Sequence, residues 1–196
     1  MIIKTIVLTV YFSILLGIGF FASRRIKNIS DYYVGGKKLN YWIAALSARS
    51  TGESGWLLIG VTGMGALIGV SAMWIVVGEV IGVFFSWQYM AKKFKRLTNE
   101  YNSITIPDFL VSHFRPSTNL IRILAATALS FFVVIYVSAQ IDITGKTFES
   151  FLGFNYYTGI AIGFGIVVLY IFSGGFLAVA WSDFFQGSLM FVALLL

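Results

Sequence analysis

Polar and charged side chains interrupt an apolar stretch that runs from residue 41 to residue 67. The segment Ala48–Trp56 contains two charged residues, three hydroxyl groups and two glycines. Within a membrane-spanning segment, ionisable residues face protein or a water-filled cavity, where they mark ion and substrate pathways. Gly, Ser and Thr also weaken the helix, and the backbone groups that a break exposes need protein, water or a ligand as partners. We therefore predict a broken helix near residues 49–55 that binds an ion or a solute.

Two further acidic residues, Glu79 and Asp183, lie in other apolar segments. Together with Arg49 and Glu53 they form a set of one cation and three anions. The excess negative charge requires either protonation or a bound cation, because an unpaired ion is costly in hydrocarbon. A monovalent cation is one candidate. A purely structural alternative stays open, since Arg49 and Glu53 are spaced i, i+4 and can pair along one helix.

The sequence shows no pattern of residues that is typical of an enzyme. It contains no cysteine, which excludes disulfides, iron–sulfur clusters and thiolate metal sites, and its single histidine, His113, argues against a haem or histidine-rich metal site. No nucleophile and base occur in a recognisable pattern. We expect neither catalytic residues nor a cofactor.

The composition indicates the elements that must position these residues. Of the 196 residues, 58% are hydrophobic and 11% are charged. The hydrophobic share, roughly 114 residues, is enough for five or six helices at about 20 residues for each membrane crossing. A water-soluble domain of this length could not bury so much apolar surface. The sequence therefore predicts an all-α, polytopic membrane protein.

Six apolar segments are long enough to be transmembrane helices. They lie near residues 5–23, 41–67, 72–91, 119–141, 156–173 and 174–196. Residues 142–155 are predicted to form a loop. Pro107 and Asp108 in the segment Thr105–Asp108 indicate the start of a short interfacial helix. The last segment ends in an apolar run without a polar anchor, so we expect one transmembrane domain that is truncated.

The basic residues predict the orientation in the membrane. Of the fourteen Lys and Arg residues, five lie in residues 24–40 and six in residues 92–122, on the same predicted side. The positive-inside rule makes that side cytoplasmic and leaves the amino terminus outside. We attribute the net charge of +6 to this topology, and we expect no nucleic-acid partner.

Four stretches of the sequence resemble the sodium/solute symporter family, and within it the sodium/proline symporters. They occur in the family's order and spacing, and the resemblance covers about residues 31–190. The matching stretches are Asp31–Gly36, Ala45–Ala48 with Ser54–Leu58, Ile104–Phe109 and Gly174–Asp183.

The resemblance implies a fold in which two inverted repeats of five helices form the transporter core, preceded by one extra helix. Residues 1–25 would be the extra amino-terminal helix. Residues 41–196 would be the first five-helix repeat, with its broken helix near residues 49–55. The second repeat of the same chain would be missing here.

The resemblance also implies roles for individual residues. The backbone carbonyls of Ser50 and Glu53 would bind sodium, and Asp183 matches an acidic residue near the sodium exit route. The residues that match positions lining the solute site are Ser54, Gly55, Trp56 and Tyr136. One departure puts proline as the substrate in doubt: proline symporters carry an aspartate where this chain has Gly52. Arg49 and Glu79 also stand where small or apolar residues are expected.

The resemblance implies a sodium-coupled symporter in the plasma membrane that imports a small organic solute, such as proline or a related amino acid, by alternating access. Sodium would be the coupling ion, and the lipid bilayer the surrounding medium. The alternative function is a symporter-like sensor module of a signalling protein. Whether Arg49, Glu53 and Glu79 form a functional charge network or a structural one stays open.

Overall fold

The computed structural model describes residues 2–37, 39–52 and 55–195, apart from the side chains of residues 2, 56, 58 and 194. All regular structure within these ranges is helical, which confirms the predicted all-α class. The α-helices of the described residues are α1 (Ile2–Ser23), α2 (Ile29–Val34), α3 (Tyr41–Gly52), α4 (Thr62–Ile68), α5 (Met73–Phe85), α6 (Lys92–Glu100), α7 (Ile106–Phe114), α8 (Leu120–Thr147) and α9 (Tyr156–Leu195).

Short turns of other helical types link several of these helices. Turns of 3-10 helix cover Gly35–Lys37 and Gly69–Ala72. Turns of π-helix cover Trp56–Val61, Ser86–Ala91 and Phe148–Leu152. The first of these π turns begins at Trp56, soon after the end of α3. Its backbone is wider than that of an ordinary α-helix.

Four helical stretches of the described residues are long and apolar enough to cross a membrane. They are Ile3–Ser23, Ile59–Glu100, Leu120–Leu152 and Tyr156–Ala193. These stretches agree with a polytopic membrane protein, and the predicted count of six transmembrane helices stays a prediction.

Glycines with a positive φ interrupt two of these long stretches. Gly69, the first residue of the turn between α4 and α5, has φ 61° and ψ −139°. Gly175 has φ 51° and ψ −147°, and two helices meet there within the 40 residues of α9. This backbone region is essentially restricted to glycine, because a Cβ atom would clash with the main chain. The sequence therefore determines where both stretches are interrupted.

The chain divides into two compact units, one formed by Met1–Gly55 with Ser138–Leu196 and the other by Trp56–Val137. In the first unit, α1 packs along α9 through a small buried core. The buried hydrophobic side chains of this core are Leu15, Ala22, Tyr170 and Ala178. Alanines at this contact let the two helices approach closely, as is common where membrane helices pack.

Helix α2 and its glycine-rich end pack against the interruption in α9. The side chain of Asn28 accepts a hydrogen bond from the backbone of Asp31 and so caps the start of α2. Gly35 ends the helix in the left-handed conformation. A Cβ atom on Gly175 would lie 2.6 Å from the carbonyl oxygen of Tyr32. The backbone of α2 at Tyr32 therefore packs closely against α9 at its interruption.

The predicted loop at residues 142–155 is wrong for most of its length, because α8 and the π turn after it continue to Leu152. Asp142 accepts hydrogen bonds from Lys146 at 2.7 Å and from Tyr156 at 2.8 Å. The carboxylate of Asp142 therefore has hydrogen-bond partners within the helical structure, one at Lys146, a turn further along α8, and one at Tyr156, the first residue of α9.

The second unit contains a long helical stretch from α5 to α6, followed by α7. Thr105 caps α7 through a capping box with Asp108, which confirms the predicted helix start. The rings of Phe94 and Phe109 lie 4.8 Å apart and join α6 to α7. Asp108 also pairs with Arg122 at 3.4 Å, and this contact connects α7 to the start of α8.

Candidate functional site

The end of α3 carries the residues that the sequence singled out. Arg49 and Ser50 lie within α3, whose last residue is Gly52. Residues 49–52 are therefore helical, and so is Gly55. Glu53 and Ser54 lie outside the described residues. The break predicted near residues 49–55 remains a prediction, which now concerns residues 53–54.

Hydrogen bonds join the inner side of α3 to Asp183 on α9. The hydroxyl of Ser47 donates to Oδ2 of Asp183 at 2.6 Å, and the hydroxyl of Ser50 donates to the backbone carbonyl of Asp183 at 3.1 Å. Ser47 is buried, and Asp183 is half-buried. Two of the predicted sodium residues, Ser50 and Asp183, are thus in direct contact. The predicted role of the Ser50 carbonyl oxygen stays a prediction.

This contact concentrates oxygen atoms in a protected place. A carboxylate, two hydroxyls and backbone carbonyls are hard oxygen ligands, which suit a cation such as sodium better than a soft transition metal. Among the residues that the structure describes, no group of three His, Cys, Asp or Glu side chains could hold a metal ion. A cation at this place would depend on main-chain and hydroxyl oxygens beside the single Asp183 carboxylate.

Helix α8 contacts the chain at Gly55. The backbone N–H of Gly55 donates to Oε1 of Gln140 at 3.2 Å. A Cβ atom on Gly55 would lie 2.6 Å from Cγ2 of Ile143, so the two segments approach too closely for a larger residue. Gln140 and Ile143 therefore hold the backbone of Gly55 in position.

Three hydrogen-bonding residues near these contacts were not predicted from the sequence: Gln140, Ser47 and Tyr156. The one available signal was the amide of Gln140 in an otherwise apolar helix, since a polar group in such a segment needs a hydrogen-bond partner. Ser47 and Tyr156 gave no signal of this kind. Each of the three forms its hydrogen bond with a residue that is distant in the sequence, and such a partner is not visible from the sequence alone.

The remaining predicted residues are placed as follows. Arg49 is exposed on α3, and Glu79 is half-buried on α5, which belongs to the other compact unit. The charge network of Arg49, Glu53 and Glu79 therefore stays a prediction. Tyr136 lies on α8 with 48% of its surface exposed, and only the backbone of Trp56 is described. The solute-binding roles of Tyr136 and Trp56 likewise stay predictions.

Comparisons with known proteins identify a family and several relatives that this chain resembles. The model of the sodium:solute symporter family matches residues 32–196. The chain is 43% identical over 180 residues to a high-affinity proline transporter of Bacillus subtilis (strain 168), and 40% identical over 181 residues to a sodium/proline symporter of Escherichia coli (strain K12). An osmoregulated proline transporter of Bacillus subtilis (strain 168) is 38% identical over 190 residues.

These alignments cover most of this chain but a smaller part of each relative. They include 91%, 91% and 96% of the chain, and 38%, 36% and 39% of the respective relatives. The chain thus spans less than two-fifths of the length of the curated relatives it matches. No solved structure matches it significantly.

Proposed function

Since the chain belongs to the sodium:solute symporter family, we propose that it is the part of a sodium-coupled symporter that binds sodium and a small organic solute. Proteins of this family are transporters and not enzymes. The observation that carries the proposal is the contact between α3 and Asp183, where hydroxyl, carbonyl and carboxylate oxygens meet inside apolar helices.

Sodium would bind near the end of α3. In this proposal the backbone carbonyls of Ser50 and Glu53 coordinate the ion, and Asp183 attracts it from the aqueous side. The 2.6 Å hydrogen bond from Ser47 holds the Asp183 carboxylate in one orientation. A single charge suits this task, because binding must be strong enough for capture and weak enough for release.

The solute would bind along the chain that follows the break, with Ser54, Gly55, Trp56 and Tyr136 lining its site. The π turn at Trp56–Val61 supports this placement, since such turns occur frequently at functional sites. Proline is the leading candidate, because the relatives are named as proline transporters. Gly52 and Glu53 favour testing related amino acids as well.

We propose six membrane spans with the amino terminus outside. The 40 residues of α9 would extend about 60 Å as one straight helix, twice the roughly 30 Å hydrocarbon core. The interruption at Gly175 supports two spans within α9, and the interruption at Gly69 lies between the proposed spans 41–67 and 72–91. The cation asymmetry supports a cytoplasmic position for residues 24–40 and 92–122.

The repeat layout follows from the same proposal. Residues 1–25 would be the extra helix and residues 41–196 one repeat of five helices, completed by a second repeat of the same polypeptide. The length of the relatives, more than twice that of the matched region, supports this layout. Alternating access would then be a rocking of one repeat against the other around the broken helix, in a multi-pass plasma-membrane protein.

Uptake into proteoliposomes tests the proposed function. The purified full-length protein would be reconstituted and offered radiolabelled proline, other amino acids and sugars, with either sodium or choline as the external cation. We expect one solute to accumulate only in sodium. Solute binding without sodium-driven accumulation would instead favour the sensor module, and no response to any solute or to sodium would contradict both functions.

A further inference from the structure

A groove lies at the end of α1, outside the site described above. It has a volume of about 440 Å³ and is lined by Ile18, Phe21, Arg24, Arg25 and Trp181. All five residues belong to the first compact unit. The volume is within the range of about 300–1,000 Å³ that is usual for small-molecule sites. One end of the groove is cationic, and its walls are apolar.

Aromatic rings hold both arginines of the groove. The guanidinium carbon of Arg24 lies 4.5 Å from the centre of the Phe20 ring, and that of Arg25 lies 5.2 Å from the Trp181 ring. Both distances fit a cation–π contact, which restricts the side chain but leaves its N–H donors available. In the part of the chain that the structure describes, neither guanidinium pairs with a carboxylate.

The position of the groove indicates what could occupy it. Helix α1 is apolar and long enough to cross a membrane, and the two arginines follow directly after its last residue, Ser23. Phe20 and Phe21 are largely exposed near that end. With α1 as a membrane span, the cationic end would lie at the depth of the lipid headgroups, and the apolar walls would face the acyl chains.

We propose that this groove is a binding site for one anionic phospholipid. The phosphate lies between Arg24 and Arg25, since guanidinium groups bind phosphate oxygens through paired, charge-assisted hydrogen bonds. An acyl chain packs on Ile18, Phe21 and the indole of Trp181. Charge complementarity favours an anionic lipid over a zwitterionic one, whose headgroup carries its own cation. Free phosphate would leave the apolar walls unused.

A simpler explanation predicts a different result. If Arg24 and Arg25 serve only to orient α1, any pair of cations on the same predicted side should be equivalent to them. Lys92 and Lys93 provide that comparison, because both are exposed and both follow an apolar helix. They lie outside the groove. Neutralising them is the matched control.

The test is native mass spectrometry of the purified full-length protein titrated with phosphatidylglycerol or phosphatidylcholine. We expect one phosphatidylglycerol to bind at least tenfold more tightly than phosphatidylcholine. Arg24→Gln with Arg25→Gln should abolish this preference, whereas Lys92→Gln with Lys93→Gln should keep it. Trp181→Leu, which retains an apolar wall but removes the cation–π contact, should weaken phosphatidylglycerol binding by about two- to fivefold.

Four results would overturn the proposal. They are equal binding of both lipids, an equal loss in the lysine control, no change in the arginine variant, and displacement of the lipid by glycerol phosphate at the lipid's own concentration. If the double arginine variant does not fold, Arg25→Lys decides the question. Arg25→Lys keeps the charge but loses the planar guanidinium. Its affinity for phosphatidylglycerol should be lower than that of the native protein but higher than the native protein's affinity for phosphatidylcholine.

Discussion

Adding one methyl group at Gly55 perturbs the site where α8 holds the chain after α3. In Gly55→Ala the new Cβ atom would lie 2.6 Å from Cγ2 and 3.0 Å from Cδ1 of Ile143. Carbon atoms pack best at about 3.5–4.0 Å, so the two segments must move apart. The 3.2 Å hydrogen bond from Gly55 to Gln140 should lengthen as a result.

The size of the effect follows from two opposing contributions. Overpacking costs about 1–3 kcal/mol. Alanine is favoured over glycine inside a helix by about 0.5–1 kcal/mol. Gly78→Ala isolates the second contribution, because no neighbouring atom lies within 4 Å of a Cβ atom at that helical position. We therefore expect Gly55→Ala to be less stable than Gly78→Ala by about 1–3 kcal/mol.

A second substitution identifies the clashing atoms. Ile143→Ala removes both Cγ2 and Cδ1, whereas Ile143→Val removes Cδ1 but keeps the methyl group at Cγ2. Only Ile143→Ala should relieve the clash, giving a favourable coupling energy with Gly55→Ala of about 1–3 kcal/mol in a double-mutant cycle. Ile143→Ala has a cost of its own, below the roughly 2–5 kcal/mol of a fully buried isoleucine because Ile143 is half-buried, so the coupling must be taken from the complete cycle.

The assay is thermal unfolding of the purified full-length variants, combined with sodium-dependent uptake at several solute concentrations. Gly55→Ala should lower the unfolding temperature and raise the half-saturating solute concentration. In the double variant with Ile143→Ala, the half-saturating solute concentration should return part of the way to the native value. The reasoning is refuted if Gly55→Ala behaves like Gly78→Ala, or if Ile143→Val rescues it as well as Ile143→Ala.

Three further predictions concern other contacts. Gly175→Ala should lower the unfolding temperature more than Gly165→Ala, since Gly175 has φ 51° and Gly165 has open space around it; equal shifts would be evidence against the strained position. Gln140→Leu should raise the half-saturating solute concentration about 2- to 12-fold, the effect of one hydrogen bond, and an unchanged value would count against it. Asp183→Asn should raise the half-saturating sodium concentration at least about fivefold, because a charge at 4 Å contributes about 1 kcal/mol even in water. Ser188→Ala, which affects only a bond within its own helix, should leave sodium binding unchanged.

Local features of the fold were predictable because neighbouring residues determine them. Apolar length indicated membrane helices, and Thr105 with Asp108 indicated the start of α7, which the structure confirms. The boundary predicted between residues 173 and 174 lies beside the interruption at Gly175. Glycine is needed there for the conformation itself, so the sequence carries the signal directly.

Contacts between distant segments were not predictable from one sequence. Ser47 and Asp183 are 136 residues apart, and Gly55 and Gln140 are 85 residues apart. Periodicity indicates which face of a helix is apolar, but it does not indicate which helix packs against that face. The predicted loop at residues 142–155 was wrong for a related reason. The polar residue Asp142 is satisfied by Tyr156 on α9, and the sequence alone gave no sign of that partner.

Sodium flux driven by the solute tests the central claim most directly. Proteoliposomes that contain the full-length protein would receive radioactive sodium outside, with no sodium gradient and no membrane potential, and an inward gradient of the solute identified by uptake. Symport through the site at α3 and Asp183 predicts inward sodium flux in a fixed ratio to solute flux, reduced in Asp183→Asn at low sodium concentration. Solute entry without any accompanying sodium flux would contradict the account.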